Sequence, residues 1–257
     1  FLMIIKSCGF ISPNMIRSKN ALNFAYIVYL KLKDQGYPPS DIETYVRKWF
    51  VYSLLTRRYS GSPESLFDFD IRRIASRPFT EYLNENEEAN LSDAFWNASL
   101  IQSLDTSVSS SPYFNLYLAA QTKANDKGFL STDITVAQMI EYRGDIHHIF
   151  PRNYLKKHGF SRGRYNQIAN YVMMQSEINI QIGDKKPADY FELLKQQCIG
   201  GTKSFGGIFE LDELYANLRS HCIPLEIFDM EISDYDEFLI KRRELMASKL
   251  REYYHSL

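Results

Sequence analysis

Glu141–Pro151 reads EYRGDIHHIFP and Asn170–Met174 reads NYVMM, with a basic run between them and a helical pattern after them. Both stretches are short and rich in β-branched or aromatic residues, and Pro151 closes the first, so each predicts a strand. From Ser176 onward, Ile178, Pro187, Tyr190, Phe191 and Leu194 follow helical spacing. The order is strand, loop, strand, helix. This is a small α+β element inside a chain whose other segments read as helices.

Toward the N-terminus, Leu22, Tyr26, Tyr29, Leu30 and the Lys33 stem recur at three and four between Ser18 and Gln35, which predicts a helix burying that face. Ser40-Asp41-Ile42-Glu43 has the capping-box pattern and predicts a helix from Ser40, with Tyr45, Val46, Trp49, Phe50 and Ser53 on one side. RRYSGSPES (Arg57–Ser65) reads as a loop. Helices are expected over 66–75 and 76–83, an acidic, partly helical piece over 80–104, and an apolar helix over Tyr113–Thr122. KANDKGFLS (Lys123–Ser131) marks a composition shift. The expected division is therefore a helical scaffold over 1–130 and a second domain over 131–257. The latter ends in a strand (Leu225–Ile232) and a long helix capped by Ser233 and Asp236, carrying Phe238, Leu239, Leu245, Met246, Leu250 and Tyr253 inward. The fold class is mainly α with a small α+β element.

The chain has 257 residues, 45% apolar and 24% charged, which fits a folded, soluble protein and excludes a disordered tail or membrane bundle. The opening FLMIIKSCGF is too short to span a bilayer and lacks signal-peptide features, so no membrane partner is expected and the chain reads as a piece of a longer protein. Cys8, Cys198 and Cys222 form no CxxC pair, arguing against a disulfide framework or zinc knuckle and for a reducing, cytoplasmic setting. A net charge of −1 argues against a uniformly basic coat. Regionally, 143–200 holds nine Lys and Arg, Arg143 among them, against five Asp and Glu, giving +4 there and −5 elsewhere. Arg152, Lys156, Lys157, Arg162 and Arg164 follow one another with His158 and no acid. Such a loop suits phosphate binding, although a solvated surface loop has the same composition.

Two of the five histidines, His147 and His148, are adjacent. Neighbours on a strand point to opposite faces, so the pair can act together only where a strand ends, as Pro151 suggests. Imidazole binds divalent cations or serves as a base near neutral pH, and an Asn carbonyl is a hard oxygen ligand, which draws in Asn170 and Asn179.

DIHHIFP (Asp145–Pro151), IANYVMMQSEIN (Ile168–Asn179) and DKKPADYF (Asp184–Phe191) together resemble the HNH nuclease, or ββα-metal, motif. More narrowly they resemble the C-terminal domain of GmrSD-type modification-dependent (type IV) restriction endonucleases. KWFVYSLLTRRYSGSPESLFDFDI (Lys48–Ile71) and SPYFNLYLAAQ (Ser111–Gln121) look like the helical region joining that family's nucleotide-dependent N-terminal domain to its nuclease. The motif core covers about 50 residues and carries the specific signal.

The resemblance implies a metal-dependent endonuclease hydrolysing DNA phosphodiesters, with 131–257 as its HNH domain, acting on modified phage DNA. It places the general base on His148, a metal ligand on His147, a bracing role on Asn170 and the second ligand on Asn179. Asp145 and His147 both remain open as the first ligand, because many HNH motifs carry Asp before the catalytic His. Arg152, Lys156, Lys157, Arg162, Arg164, Lys185 and Lys186 are the expected phosphate contacts. The cofactor implied is Mg²⁺ or Mn²⁺, with Ni²⁺ and Zn²⁺ left open by the softer His147. Implied partners are DNA, an N-terminal nucleotide-dependent domain of the same protein, and a second copy, since cutting both strands calls for two active sites. Two alternatives stand beside this reading: a catalytically inert nucleic-acid-binding or regulatory helical module, and an RNA-cleaving HNH nuclease.

Overall fold

Most of the chain is helical, and the described residues contain a single two-stranded antiparallel sheet. The computed structural model describes residues 1–142 and 144–257; Arg143, counted above in the basic segment, lies outside the described residues. Phe1–Ser103, Ser110–Lys123 and Leu250–Leu257 form one unit, and Leu104–Ser109 with Ala124–Lys249 form another. No helix among the described residues is long and apolar enough to cross a membrane.

In the first unit, α1 (Leu2–Ser7) and a 3₁₀ turn precede α2 (Lys19–Asp34), α3 (Pro39–Leu55), α4 (Glu64–Ser76) and α5 (Phe79–Asn90). A π-helical turn (Phe95–Ser99) then runs into α6 (Leu100–Ser103), followed by α7 (Pro112–Lys123). Ser18 starts α2 by accepting the Ala21 N–H at 3.2 Å. The buried stripe of α2 is Ala21, Phe24, Ala25, Val28 and Leu32, not the expected Leu22–Tyr26–Leu30 stripe; Tyr26 and Leu30 are each 45% exposed. Small Ala21 and Ala25 let α2 lie against α3, while Phe24 enters an aromatic cluster with Tyr59 (centroids 4.7 Å apart) and Phe67 (4.9 Å). α3 begins one residue before the expected Ser40. Pro39, pre-set for a first helical turn, takes that place, and Ser40 bonds Asp41 instead of capping. The expected buried positions Val46, Trp49, Phe50 and Ser53 are buried.

RRYSGSPES is a turn anchored from inside. Arg58 donates to both carboxylate oxygens of the fully buried Asp70 (2.8 and 2.6 Å), and the Tyr59 hydroxyl adds a third bond at 2.6 Å. A buried carboxylate is tolerable only when so paired.

The second unit contains α8 (Val136–Glu141), β1 (Ile146–His148), α9 (Arg152–Lys157), α10 (Arg162–Tyr165), β2 (Tyr171–Met173), α11 (Ser176–Ile182), α12 (Pro187–Cys198) and α13 (Leu211–Ser220). The last helix, α14 (Tyr235–His255), belongs to it as far as Lys249. β1 and β2 pair Ile146 with Met173, His147 with Val172 and His148 with Tyr171. The connection between them is not a plain loop: α9 and α10 shape it. The single helical pattern read from Ser176 is two helices parted at Gly183, whose φ of 61° suits glycine.

The expected strand at Leu225–Ile232 is absent. Pro224 leads into a 3₁₀ turn over Leu225–Phe228, in which the adjacent Ile227 and Phe228 are both buried, a pattern that alternating strand faces cannot supply. A second 3₁₀ turn, Ile232–Asp234, follows; Glu231 and Asp234 make its reciprocal cap, so Ser233 does not start α14. From α14, Phe238 and Met246 enter the core as expected, whereas Leu245 is 41% exposed. Arg242 is fully buried, donating to the carbonyls of Ala169 (2.8 Å) and His221 (3.2 Å).

Candidate active site

β1 ends at His148, and the chain turns inward at once: Ile149 and Phe150 are buried, the latter against Tyr235 and Phe238 at 5.1 and 5.0 Å. That turn is held by Asn170. Its carbonyl accepts the Ile149 N–H at 2.9 Å, its Oδ1 accepts the Phe150 N–H at 2.8 Å, and its Nδ2 donates to Phe150 O (3.1 Å) and Tyr165 O (3.2 Å). Asn170 is fully buried, so it braces the histidine-bearing turn and does not reach the cavity beside it. Tyr190 adds a further tie, donating its hydroxyl to Ile149 O at 2.9 Å.

The strand end brings both imidazoles to one open cavity of about 340 Å³, together with Arg152, Asn153, Asn179 and Asp184. Asn179 sits in the second half of the first turn of α11, which opens with Ser176 directly behind β2. The histidine pair therefore shares a cavity despite adjacent positions on a strand, because the second of them is the strand's last residue. Asp145 does not join them. It lies ahead of β1, is exposed, and accepts a bond from Ser176 Oγ at 3.3 Å.

His148 packs edge-on to Tyr171, with centroids 5.2 Å apart, and its Nε2 lies 3.0 Å from Asn166 Oδ1. Burial pushes the His148 imidazole below its ordinary pKa; the Asn166 bond opposes this, and Arg152 and His147 add to it. Burial likewise lowers His147, against the pull of Asp145. The Nε2 of His147 is buried and has no hydrogen-bond partner among the described residues. Asn179 lines the same cavity as His147, and an imidazole nitrogen and an amide oxygen are both groups that ligate cations. No group of three or more His, Cys, Asp or Glu able to hold a metal occurs among the described residues.

The basic residues divide. Arg152 lines the cavity. Lys157 pairs with Asp184 at 3.1 Å, Lys186 with Glu231 at 2.7 Å, and Arg164 with both oxygens of Asp236 at 2.6 and 2.8 Å. Lys185 donates to the last carbonyls of α11, Gln181 O (3.0 Å) and Ile182 O (3.3 Å). Lys156 lies over the Tyr165 ring at 5.6 Å, and Arg162 is exposed without an ion pair among the described residues.

Asn166 and Asp184 are the residues that sequence patterning does not single out. The one signal for Asn166 is YNQIAN (Tyr165–Asn170), with two asparagines four apart; the first caps the end of α10 and reaches His148, and the second closes the 3₁₀ turn Ile168–Asn170 and reaches Phe150. Asp184 follows Gly183 at the end of α11 and is the only carboxylate among the cavity's lining residues.

The chain is 26% identical over 223 residues to an uncharacterized protein of Methanocaldococcus jannaschii, a match covering 80% of this chain and 37% of that protein. The chain thus spans little more than a third of that relative's length. No protein-family profile matches the chain. No solved structure matches it either.

Proposed function

We propose that the cavity between β1 and α11 is the active site of a metal-dependent endonuclease that hydrolyses DNA phosphodiester bonds. The observation that carries this reading is the convergence of His147, His148, Asn179 and Arg152 on one open cavity whose histidine turn is pinned by a fully buried Asn170. The element around it, antiparallel strands 146–148 and 171–173 followed by helix 176–182, has the order that an HNH nuclease requires.

His148 is the general base. With Asn166 Oδ1 accepting from Nε2, the lone pair rests on Nδ1, where it takes a proton from the attacking water. Lowered basicity keeps the ring neutral, hence competent, at pH 7. Arg152, which lines the cavity and makes no ion pair among the described residues, holds phosphate oxygens. His147 through its orphaned Nε2, with the Asn179 amide oxygen, would hold a divalent cation, Mg²⁺ or Mn²⁺ and with an imidazole ligand also Ni²⁺ or Zn²⁺. When bound, such a cation supplies positive charge beside the scissile phosphate and the leaving 3′ oxygen. Asp145, exposed and bonded to Ser176, is outside this set and acts on His147 only through its charge.

The length of the relative leaves room for an N-terminal nucleotide-dependent domain in the same polypeptide, and base-modified phage DNA is the substrate that the sequence resemblance suggests. A second copy would supply the second strand cut. The test is digestion of plain and base-modified plasmid, with RNA in parallel, across Mg²⁺, Mn²⁺, Ni²⁺ and Zn²⁺. His148→Ala is expected to abolish cleavage while leaving the circular-dichroism spectrum unchanged. Metal-dependent cleavage by His148→Ala at the wild-type rate would refute the mechanism, and preferential cutting of RNA would reassign the substrate.

A further inference from the structure

The first unit carries a second concentration of unpaired positive charge that the nuclease reading does not use. Where α3 ends, Arg57 donates its N–H to Leu54 O (3.3 Å) and Arg58 donates to Ser53 O (3.0 Å). That closure requires left-handed backbone at the first of the two donors, and Arg57 has φ 52°. Glycine suits such a position and a side chain there is strained, so the arginine stands where stability alone favours another residue. The turn around it is fixed: Arg58 and Tyr59 are anchored on buried Asp70, and Asn20 Nδ2 donates to Tyr59 O at 3.3 Å.

Arg57 lines an open cavity of about 440 Å³ with Arg17 and Lys19. The first turn of α2, the positive end of a 16-residue helix, lines it too, as does Ser60, whose hydroxyl donates to Arg57 O at 2.7 Å. All three cations are exposed, none makes an ion pair among the described residues, and no Asp or Glu lines the cavity. Three cations lining one cavity with no carboxylate among its lining residues favour an anion with several oxygens, which the two guanidinium groups bind well.

The geometry points to a phosphate-binding site in the helical unit, formed by Arg17, Lys19 and Arg57 around the α2 N-terminus, that takes phosphate groups of nucleic acid or of a free nucleotide. It shares no lining residue with the cavity beside the histidine pair and stands whether or not that cavity cleaves DNA.

The test measures binding by the full 257-residue chain in EDTA, using a fluorescein-labelled 20-base-pair duplex, ATP and inorganic phosphate as probes. Arg57→Gly removes the cation and relaxes the backbone, so its melting temperature is expected to equal or exceed that of the wild type, which separates lost binding from lost folding. Binding of the duplex or of ATP is expected to weaken at least about fivefold in Arg57→Gly and further in Arg17→Gln/Lys19→Gln, with the duplex salt slope falling by about one per cation removed. Weakening confined to the duplex identifies the nucleic-acid backbone as the source, and weakening shared by ATP identifies a nucleotide. Wild-type affinity for all three probes in both variants, or no binding of any probe by the unmutated chain, would overturn the assignment.

Discussion

Replacing Asn170 by Ala tests whether the histidine turn is held as the hydrogen bonds suggest. The side chain satisfies three backbone groups, the Phe150 N–H at 2.8 Å, Phe150 O at 3.1 Å and Tyr165 O at 3.2 Å, from a position with no solvent exposure. Each buried group left without a partner costs about 1–3 kcal/mol, and partial relaxation lowers the sum, so a loss of about 4 kcal/mol is expected. That is a large part of the roughly 5–15 kcal/mol that holds a typical domain. Asn170→Asp is the informative companion. It keeps the shape but turns Nδ2 into an acceptor facing two carbonyl oxygens, so it should be at least as destabilising as Ala near pH 7 and recover partly in acid, where a protonated carboxyl regains one donor. Urea titration by far-UV circular dichroism gives the free energies, and amide exchange gives the local effect at Ile149 and Phe150, whose N–H groups both end on Asn170. Cleavage should fall by more than the folded fraction does, since the surviving molecules hold His148 on a looser turn. An Asn170→Ala midpoint within about 0.5 kcal/mol of the wild type, with unchanged exchange at both amides, would refute the bracing argument.

Asn166→Asp places a carboxylate on His148 Nε2, which raises the imidazole pKa, so the acid limb of the kcat/KM profile should move up from its wild-type position below pH 6.5; an unmoved limb would break the link between Asn166 and the base. His221 is fully buried with its Nε2 on Lys127 O at 2.9 Å, and burial pushes its pKa down to about 3. Below about pH 6.5 the unfolded chain takes up a proton that the folded chain refuses, so stability falls as pH falls through the window from 6.5 toward 3, by about 1.4 kcal/mol per unit. His221→Asn, which retains a donor for Lys127 O, should remove that slope in pH-dependent urea melts. Asp70→Asn strands the Arg58 guanidinium, whose side chain is 13% exposed, and is expected to lower stability by about 3–5 kcal/mol in the same assay.

The candidate site was legible in the sequence because its parts are close in the chain and each demands a specific chemistry. A histidine pair at a strand end, an asparagine brace on the next strand's approach and an asparagine in the following helix need only the local order strand, strand, helix to meet. Asn166 was not legible, since its bond to His148 depends on where the short helix α10 ends within the connection between the two strands. The α2 face failed for a different reason. That helix is apolar around much of its circumference, and the buried stripe is selected by two alanines that permit close approach, a steric property that hydrophobic spacing does not register. At Leu225–Ile232 the β-rich composition misled because a strand needs a partner edge, and the structure offers the segment a packed turn instead.

Charge shows the same limit more sharply. The +4 over residues 143–200 counts every lysine and arginine in the window as equally available, yet ion pairing is set by the fold. Lys186 and Arg164 find their carboxylates on Glu231 and Asp236, 45 and 72 residues further along and outside that window. Lys157 finds Asp184 inside it, 27 residues away. Paired and exposed cations of this kind contribute little net field at a distance, because each carboxylate cancels its partner within a few ångströms and salt screens what remains. Of the seven basic residues expected to contact phosphate, Arg152 alone lines the cavity beside the histidine pair, and it makes no ion pair among the described residues. In the first unit the regional sum is equally blind: the −5 outside residues 143–200 averages over a cavity lined by Arg17, Lys19 and Arg57 and, among the described residues, by no Asp or Glu. What decides whether a basic residue can hold a phosphate is thus the absence of a competing carboxylate within reach, and that is a property of the folded chain.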